Sequence, residues 1–249
     1  MPLPHYLALF SRARTAVLDV LFPDQCVGCG MEGSLCCARC FASMRPLEPR
    51  CIRCAHLSRQ DETARSADAA GRPCRVCSRH TALTRFYAPY RYEGVARALL
   101  YRLKYGRALG GATLLTDAIW EGLLREGIRI AADVLMVPVP LSRRRQRCRG
   151  FNQSEVIARI LARSIGVTVA AGILKKTRDT PPQMSLPRSA RLQNVAGAFA
   201  VSDGVSLLGR TVVIVDDVRT TGATLEAAAA ALRAAGAVEV WALAVAQTG

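Results

Sequence analysis

Acidic side chains are scarce in this 249-residue chain, where 19 Asp and Glu face 34 Lys and Arg for a formal net charge of +15. So unbalanced a surface repels cationic partners and attracts anions such as phosphates or nucleic acid. Aromatic residues are also few, at 6%, which excludes extensive base stacking and leaves backbone contact as the main way to hold a polynucleotide. No uninterrupted apolar run reaches the ~18 to 20 residues that a membrane span needs. The most apolar N-terminal stretch, HYLALFSRARTAVLDVLF at 5–22, is broken by Arg12 and Arg14 and has no basic region before it. It is expected to be a packing helix rather than a secretory signal. There is no internal repeat, no helix-turn-helix pattern, and no low-complexity tract beyond the alanines at 227–231, a good helix former.

Cysteine is the exception, with ten residues, nine of them between positions 23 and 80. Without a signal peptide they are expected in a reducing cytoplasm, where Cys-x-x-Cys pairs mean metal or redox chemistry rather than disulfides. Cys26-x2-Cys29 and Cys37-x2-Cys40 are separated by seven residues, and Cys51-x2-Cys54 and Cys74-x2-Cys77 by nineteen. Each set offers four soft ligands on two tight knuckles, as tetrahedral structural zinc requires. Two sequential zinc sites are expected. A single zinc, ligands drawn crosswise, Cys36 in place of Cys37, and an iron–sulfur centre stay open. His56 and His80 read as loop residues, and Cys148, alone among arginines, as no nucleophile.

The same segment has little apolar periodicity and many Arg, Pro and Gly, so it needs a metal to hold a fold. The text changes near Thr84, giving an expected N-terminal helix at 1–22, a cysteine-rich module (a double zinc ribbon) at 23–83 with an exposed loop at 56–73, and an α/β domain at 84–249. In that domain FYAPYRY reads as a strand and GVARALLYRLKYG as an amphipathic helix ending near Gly106. DVLMVPV at 133–139 reads as a buried parallel strand. FNQSEVIARILARSIG reads as a helix capped by Asn152, with Glu155 completing a capping box. Thr211 to Val215, TVVIV, reads as a strand, Asp216 to Gly222 as a loop, Thr224 to Ala235 as a helix, and VEVWALAVA as a further strand. This β-α-β order implies a parallel sheet flanked by helices, with ligands at the carboxyl ends of its strands. Residues 175–196, rich in Pro and cations, read as a mobile loop.

Two segments carry the chemistry. VIVDDVRTTGAT, from Val213 to Thr224, delivers two adjacent carboxylates and then a Thr-Thr-Gly turn opening a helix. Gly222 lets backbone approach a ligand closely, and helix N-terminal amides favour a phosphate. Asp216 and Asp217, acceptors when ionised, suit paired ribose hydroxyls. PVPLSRRRQRCRGFN, from Pro138 to Asn152, reads as a loop with five Arg in seven positions, built to meet concentrated negative charge.

The first segment resembles the phosphoribosyl pyrophosphate (PRPP) signature of type I phosphoribosyltransferases. That resemblance implies that Asp216 and Asp217 bind the ribose hydroxyls while Thr220, Thr221, Gly222, Ala223 and Thr224 cradle the 5′-phosphate. The run VPVPLSRRRQRCRGFNQSE, with the cysteine module, LKYGR at 103–107 and DDVRTTGAT, resembles the ComF family of competence-associated proteins over nearly the whole chain. It implies a type I phosphoribosyltransferase-like parallel sheet behind a double zinc ribbon, and a role in natural transformation beside the DNA-uptake machinery. As a glycosyltransferase the protein would use Mg²⁺ to neutralise the pyrophosphate while a nitrogen nucleophile attacks C1′. Arg143, Arg144, Arg145 and Arg147 would stabilise the leaving group, and Lys175, Lys176 or Arg178 would close over it. As a binding protein it would sense PRPP and grip single-stranded DNA with its arginines, including Arg39, Arg50, Arg53, Arg72, Arg75 and Arg79 around the knuckles. A regulator with PRPP as effector is the third reading. No motif identifies an acceptor base.

Overall fold

The computed structural model describes residues 23–48, 51–52, 71–105, 110–178, 195 and 197–248. The helix expected within 1–22, Arg50, Arg53, Cys54, His56, nearly all of the 56–73 loop and most of 179–196 lie outside the described residues. The strands are β1 (Arg85–Tyr87), β2 (Tyr90–Arg91), β3 (Leu135–Pro138), β4 (Thr168–Val169), β5 (Leu174–Lys176), β6 (Phe199–Val201), β7 (Thr211–Arg219) and β8 (Glu239–Gln247). The helices are α1 (Ala38–Ala42), α2 (Gly94–Tyr105), α3 (Gly110–Arg125), α4 (Arg143–Arg149), α5 (Gln153–Ile165) and α6 (Ala223–Ala234).

Six strands form one parallel sheet in the order β1-β8-β7-β3-β4, with β2 also on β8. Its two central strands are apolar on both faces, and their residues alternate between two cores. Val213, Val215, Leu243 and Val245 meet α2, α3 and α5 through Leu99, Leu100, Leu103, Leu115, Ile119, Ile157 and Leu161. Val212, Ile214, Val240, Ala242 and Ala244 meet α6 through Leu225, Ala228, Ala229 and Leu232. Period 2 in the strands and period 3.6 in the helices make this sandwich, as sheets buried on both faces require. The cysteine-rich segment joins both cores. Leu35, Cys36 and Met44 belong to the first and Ile52 and Leu83 to the second.

Several elements depart from the sequence reading. FYAPYRY is two strands, because Ala88 and Pro89 interrupt the ladder and Pro89 lacks a donor. The arginine segment is not a loop throughout. Arg143–Arg149 is helix α4, with Ser142 Oγ accepting from the Arg145 amide at 3.4 Å and Gly150 closing it at φ 78°. Arginine is a strong helix former, and this run contains no breaker. Asn152 does cap α5, its Oδ1 accepting from the Ser154 amide at 3.1 Å, but Glu155 turns instead to Arg159, 2.7 Å away one turn on. The strand read as ending at Val215 continues through Asp216 and Asp217 to Arg219, because β8 runs beside it as far as Gln247. Lys175 and Lys176 lie not in a loop but in β5, paired antiparallel with β6.

Candidate functional site at the carboxyl end of β7

β3 leaves the sheet at Pro138, paired with Val215, and the Val139 amide donating to the Val215 carbonyl at 2.9 Å is the last bond between them. β7 continues beyond, so its last four residues stand at the sheet's carboxyl edge. Asp216 Oδ1 accepts from Ser154 Oγ of α5 at 3.0 Å and from the Asp217 amide at 2.8 Å. Asp217 Oδ1 accepts from the Val218 amide at 2.9 Å, and Oδ2 forms a buried ion pair with Lys104 Nζ of α2. Burial, and then the neighbouring charge of Asp217, push the Asp216 carboxyl up to about 7. Burial opposes the charge of Lys104, but the Asp217 carboxylate outweighs it and raises the lysine's pKa.

Thr220, Thr221 and Gly222 make the turn into α6, and Ala223 and Thr224 begin its first helical turn. Gly222 is left-handed, at φ 82°, a conformation that costs a side chain about 1–2 kcal/mol. A Cβ there would also stand 2.9 Å from Arg219 Nε, so a side chain at this position would displace the guanidinium.

A cavity of about 380 Å³ lies between α2 and α4, lined by Lys104, Tyr105, Arg144, Arg145, Cys148 and Arg149. Helical spacing explains the selection, since 144, 145, 148 and 149 share a face of α4. Arg143 and Arg147 are absent from that lining, as are Lys175, Lys176 and Arg178. Lys176 Nζ is 5.9 Å from the Phe199 ring. Lys104 links the cavity to Asp217, so the carboxylates and two of the proposed arginines share one region. The sequence reading assigned no role to Lys104, Ser154 or Tyr105, and took Arg149 only as one of the five arginines of its run. Lys104 carried a signal: it is four residues after Leu100, on a face otherwise made of leucines. The Ser154 contact spans 62 residues and carried none.

The cysteines separate into two groups in sequence order, Cys26, Cys29, Cys37 and Cys40, and Cys51, Cys74 and Cys77, each with Sγ atoms within 4.8 Å of one another. The fourth expected ligand of the second group, Cys54, lies outside the described residues. Cys36 is not in the first group; its thiol is buried, which pushes it up to about 11, and it donates to the Cys37 carbonyl. The donor sets fit a soft cation such as zinc. Backbone amides of Cys37, Cys29 and Gly28 pull the Cys26 thiol down to about 6, while hydrogen bonding to Cys37 and Cys26 holds Cys40 up at about 12. Without a cation four such thiols cannot all ionise; with one they can. A Cβ at Gly28 would be 2.6 Å from Cys40 Sγ, so the chain closes around the sulfurs where only glycine fits. The Cys74 amide donates to Cys51 Sγ at 3.2 Å in the second group. Among the described residues no carboxylate cluster offers three ligands to an ion.

A family model described as the phosphoribosyl transferase domain matches residues 152–248, which takes in β7, the turn and α6 but neither Lys104 nor the cysteines. The DNA utilization protein YhgH of Escherichia coli (strain K12) is 32% identical over 203 residues, 78% of this chain and 88% of that protein. Competence protein F of Haemophilus influenzae is 36% identical over 112 residues, 44% of this chain and 49% of its own. A purine phosphoribosyltransferase structure from Pyrococcus horikoshii Ot3 gives a TM-score of 0.32 at 20% identity, covering 54% of this chain and 80% of that one.

Proposed function

Because the chain belongs to the ComF/YhgH family and carries its phosphoribosyltransferase domain, we propose that the carboxyl end of β7 binds PRPP in the service of DNA uptake. The observation that carries this reading is the convergence on one strand end of two carboxylates, a glycine-hinged helix start and a cation-lined cavity. The cysteine-rich segment 23–83 serves as a zinc-bound module beside the ligand domain at 84–249. Thr220 to Thr224 hold the 5′-phosphate with amides at the start of the 12-residue helix α6. Asp216 accepts from a ribose hydroxyl, and Asp217 does so while held by Lys104. Arg144, Arg145 and Arg149 meet the pyrophosphate. Mg²⁺ bound with the ligand would supply charge neutralisation beside Asp216 and Asp217. In transfer, the C1′–O bond to pyrophosphate breaks, an acceptor nitrogen forms the C1′–N bond, its proton passes to the released pyrophosphate, and the arginines stabilise the departing charge. Calorimetric titration of PRPP and Mg²⁺ into zinc-loaded protein tests the site. Binding that weakens about tenfold in Asp216→Asn supports it, and no binding to the wild type would falsify it.

A second reading, binding of single-stranded DNA, has its own support. Tyr101 and Tyr105, one turn apart on α2 and each 62% exposed, lie with ring centroids 4.8 Å apart and planes tilted by 48°. Tyr105 borders the α2–α4 cavity, and Arg149 lies 5.2 Å from its ring. Tyr101 borders another cavity, of about 510 Å³, with Arg97, Arg102 and Cys26. Cations flanking an aromatic pair suit phosphates and stacked bases. On this reading Arg97→Ala/Arg102→Ala lowers the salt slope of single-strand binding by roughly 0.7 for each phosphate that is no longer neutralised.

A further inference from the structure

The two cysteine groups grip different parts of the molecule. The first reaches the helices of the leucine-rich core. A Cβ at Gly28 would lie 3.1 Å from Val95 of α2, one at Gly111 of α3 would lie 3.0 Å from Leu35, and Phe41 packs edge-on against Tyr90. The second reaches the turn between β7 and α6 by two routes. On the Cys51 side, the carbonyl of Ile52, buried at 3% exposure, accepts from Arg219 Nη2. Arg219 is itself buried, its guanidinium 4.8 Å from the Phe86 ring and packed beneath Gly222. On the Cys77 side, the chain passes through a short turn at Ser78–His80 to Thr81 and Ala82. Thr81 Oγ1 donates to Glu226 Oε1, and the Ala82 amide donates to Glu226 Oε2 at 3.0 Å. Glu226 lies in the first turn of α6, and Arg233 further along donates to the Ala82 carbonyl at 3.1 Å.

We infer that the second cysteine group is a metal-dependent brace for this turn. A cation held by Cys51, Cys74 and Cys77 fixes the Ile52 carbonyl and the Thr81–Ala82 segment together. Arg219 and Glu226, as positioning residues, carry that order to Gly222 and the opening of α6. Arg219 is two residues past the second carboxylate, so one side chain spans from strand end to metal module. A binding site whose amides are already ordered loses less freedom when a ligand arrives. Metal loading at Cys51, Cys74 and Cys77 therefore tightens ligand binding at the turn, whereas the first group bears on α2, α3 and Tyr90 of β2. The affinity half of this inference rests on the PRPP reading; the ordering half does not.

Hydrogen exchange on the full zinc-loaded chain separates the two halves. Cys77→Ser is expected to speed exchange of the Thr220–Glu226 amides about tenfold and to weaken PRPP–Mg²⁺ binding by about as much. Cys29→Ser speeds exchange around Cys26 and Cys40 and leaves the turn as in wild type. Arg219→Lys guards against a trivial folding defect. It keeps both metals, counted by a colorimetric zinc assay, and still speeds exchange in the turn, because an ammonium cannot reach Ile52 and cover Gly222 together. Equal responses of the turn to Cys77→Ser and Cys29→Ser, or no response to Arg219→Lys, overturn the brace. Selective exchange changes in a protein that does not bind PRPP uphold the brace and refute the PRPP reading.

Discussion

One side of the sheet is richer in leucine and the other in alanine. Against α2, α3 and α5 the fully buried residues include Leu99, Leu100, Leu103, Leu115, Ile119, Leu123 and Leu161. Against α6, Ala228, Ala229, Ala242 and Ala244 are fully buried among Val212, Ile214, Leu225, Leu232 and Val240. Large side chains bury more apolar area and add more stability. Small ones bring the helix axis close to the strands and fix its position, with little slack. The leucine side also carries the first cysteine group and the arginine-lined cavity, and the alanine side carries the second group and the turn. Stability and positional accuracy are thus concentrated on opposite faces of the same two strands.

The largest effect expected is on the leucine side, at Lys104, the largely buried partner of Asp217. Lys104→Ala leaves Asp217 without its counterion and should lower unfolding free energy by about 3–5 kcal/mol in urea titrations. The double variant Lys104→Met/Asp217→Leu should recover most of that loss while abolishing the ligand site. Leu100→Ala, a cavity mutation in the same core, should cost about 2–5 kcal/mol. Its counterpart, Ala229→Leu beneath α6, should cost about 1–3 kcal/mol by overpacking. If Ala229→Leu is neutral, the alanine side is not closely packed and the contrast fails. Gly222→Ala should cost about 1–2 kcal/mol in stability, but PRPP binding should fall far more, because the strain is placed in the turn itself.

The smallest effect expected is with pH. Asp216 has a folded value of about 7, above its ordinary 3.8. Between those values the folded protein holds a proton that the unfolded chain has released. The stability it contributes is therefore present below the ordinary value and lost as pH rises through about 7. Ligand binding runs the other way, since the ionised carboxylate is the better acceptor. From pH 6 to 8 the wild type should gain about tenfold in PRPP affinity relative to Asp216→Asn, which also controls for titration of the ligand's phosphates. A parallel dependence in both proteins would remove Asp216 from the site.

Local features of the sequence marked much of this architecture. TVVIV and VEVWALAVA announced the central strands, Asn152 announced a helix start, and the Cys-x-x-Cys spacings announced two groups. What escaped was set by distant neighbours. β7 outruns its apolar segment because β8, some 28 positions later, is long enough to pair with it. An arginine run has no hydrophobic period, so α4 could not be told from a loop until its two caps were in view. Lys104 was legible only as an anomaly on a leucine face, and the reach of Arg219 to Ile52 spans 167 residues.

Asn152 fastens both ends of the arginine segment, its Nδ2 donating to the Val139 carbonyl at 2.9 Å while its Oδ1 caps α5. The chain between is a detour that leaves the sheet and returns to nearly the same place. Closing such a loop costs little more when it grows, about 0.6 kcal/mol for each doubling of length. Phe151 stays packed against the first core, so the part of the segment free to change in length lies before it. Such a change between Val139 and Phe151 is expected to leave the strand register in place, which makes this the natural place for such a scaffold to acquire a new ligand preference.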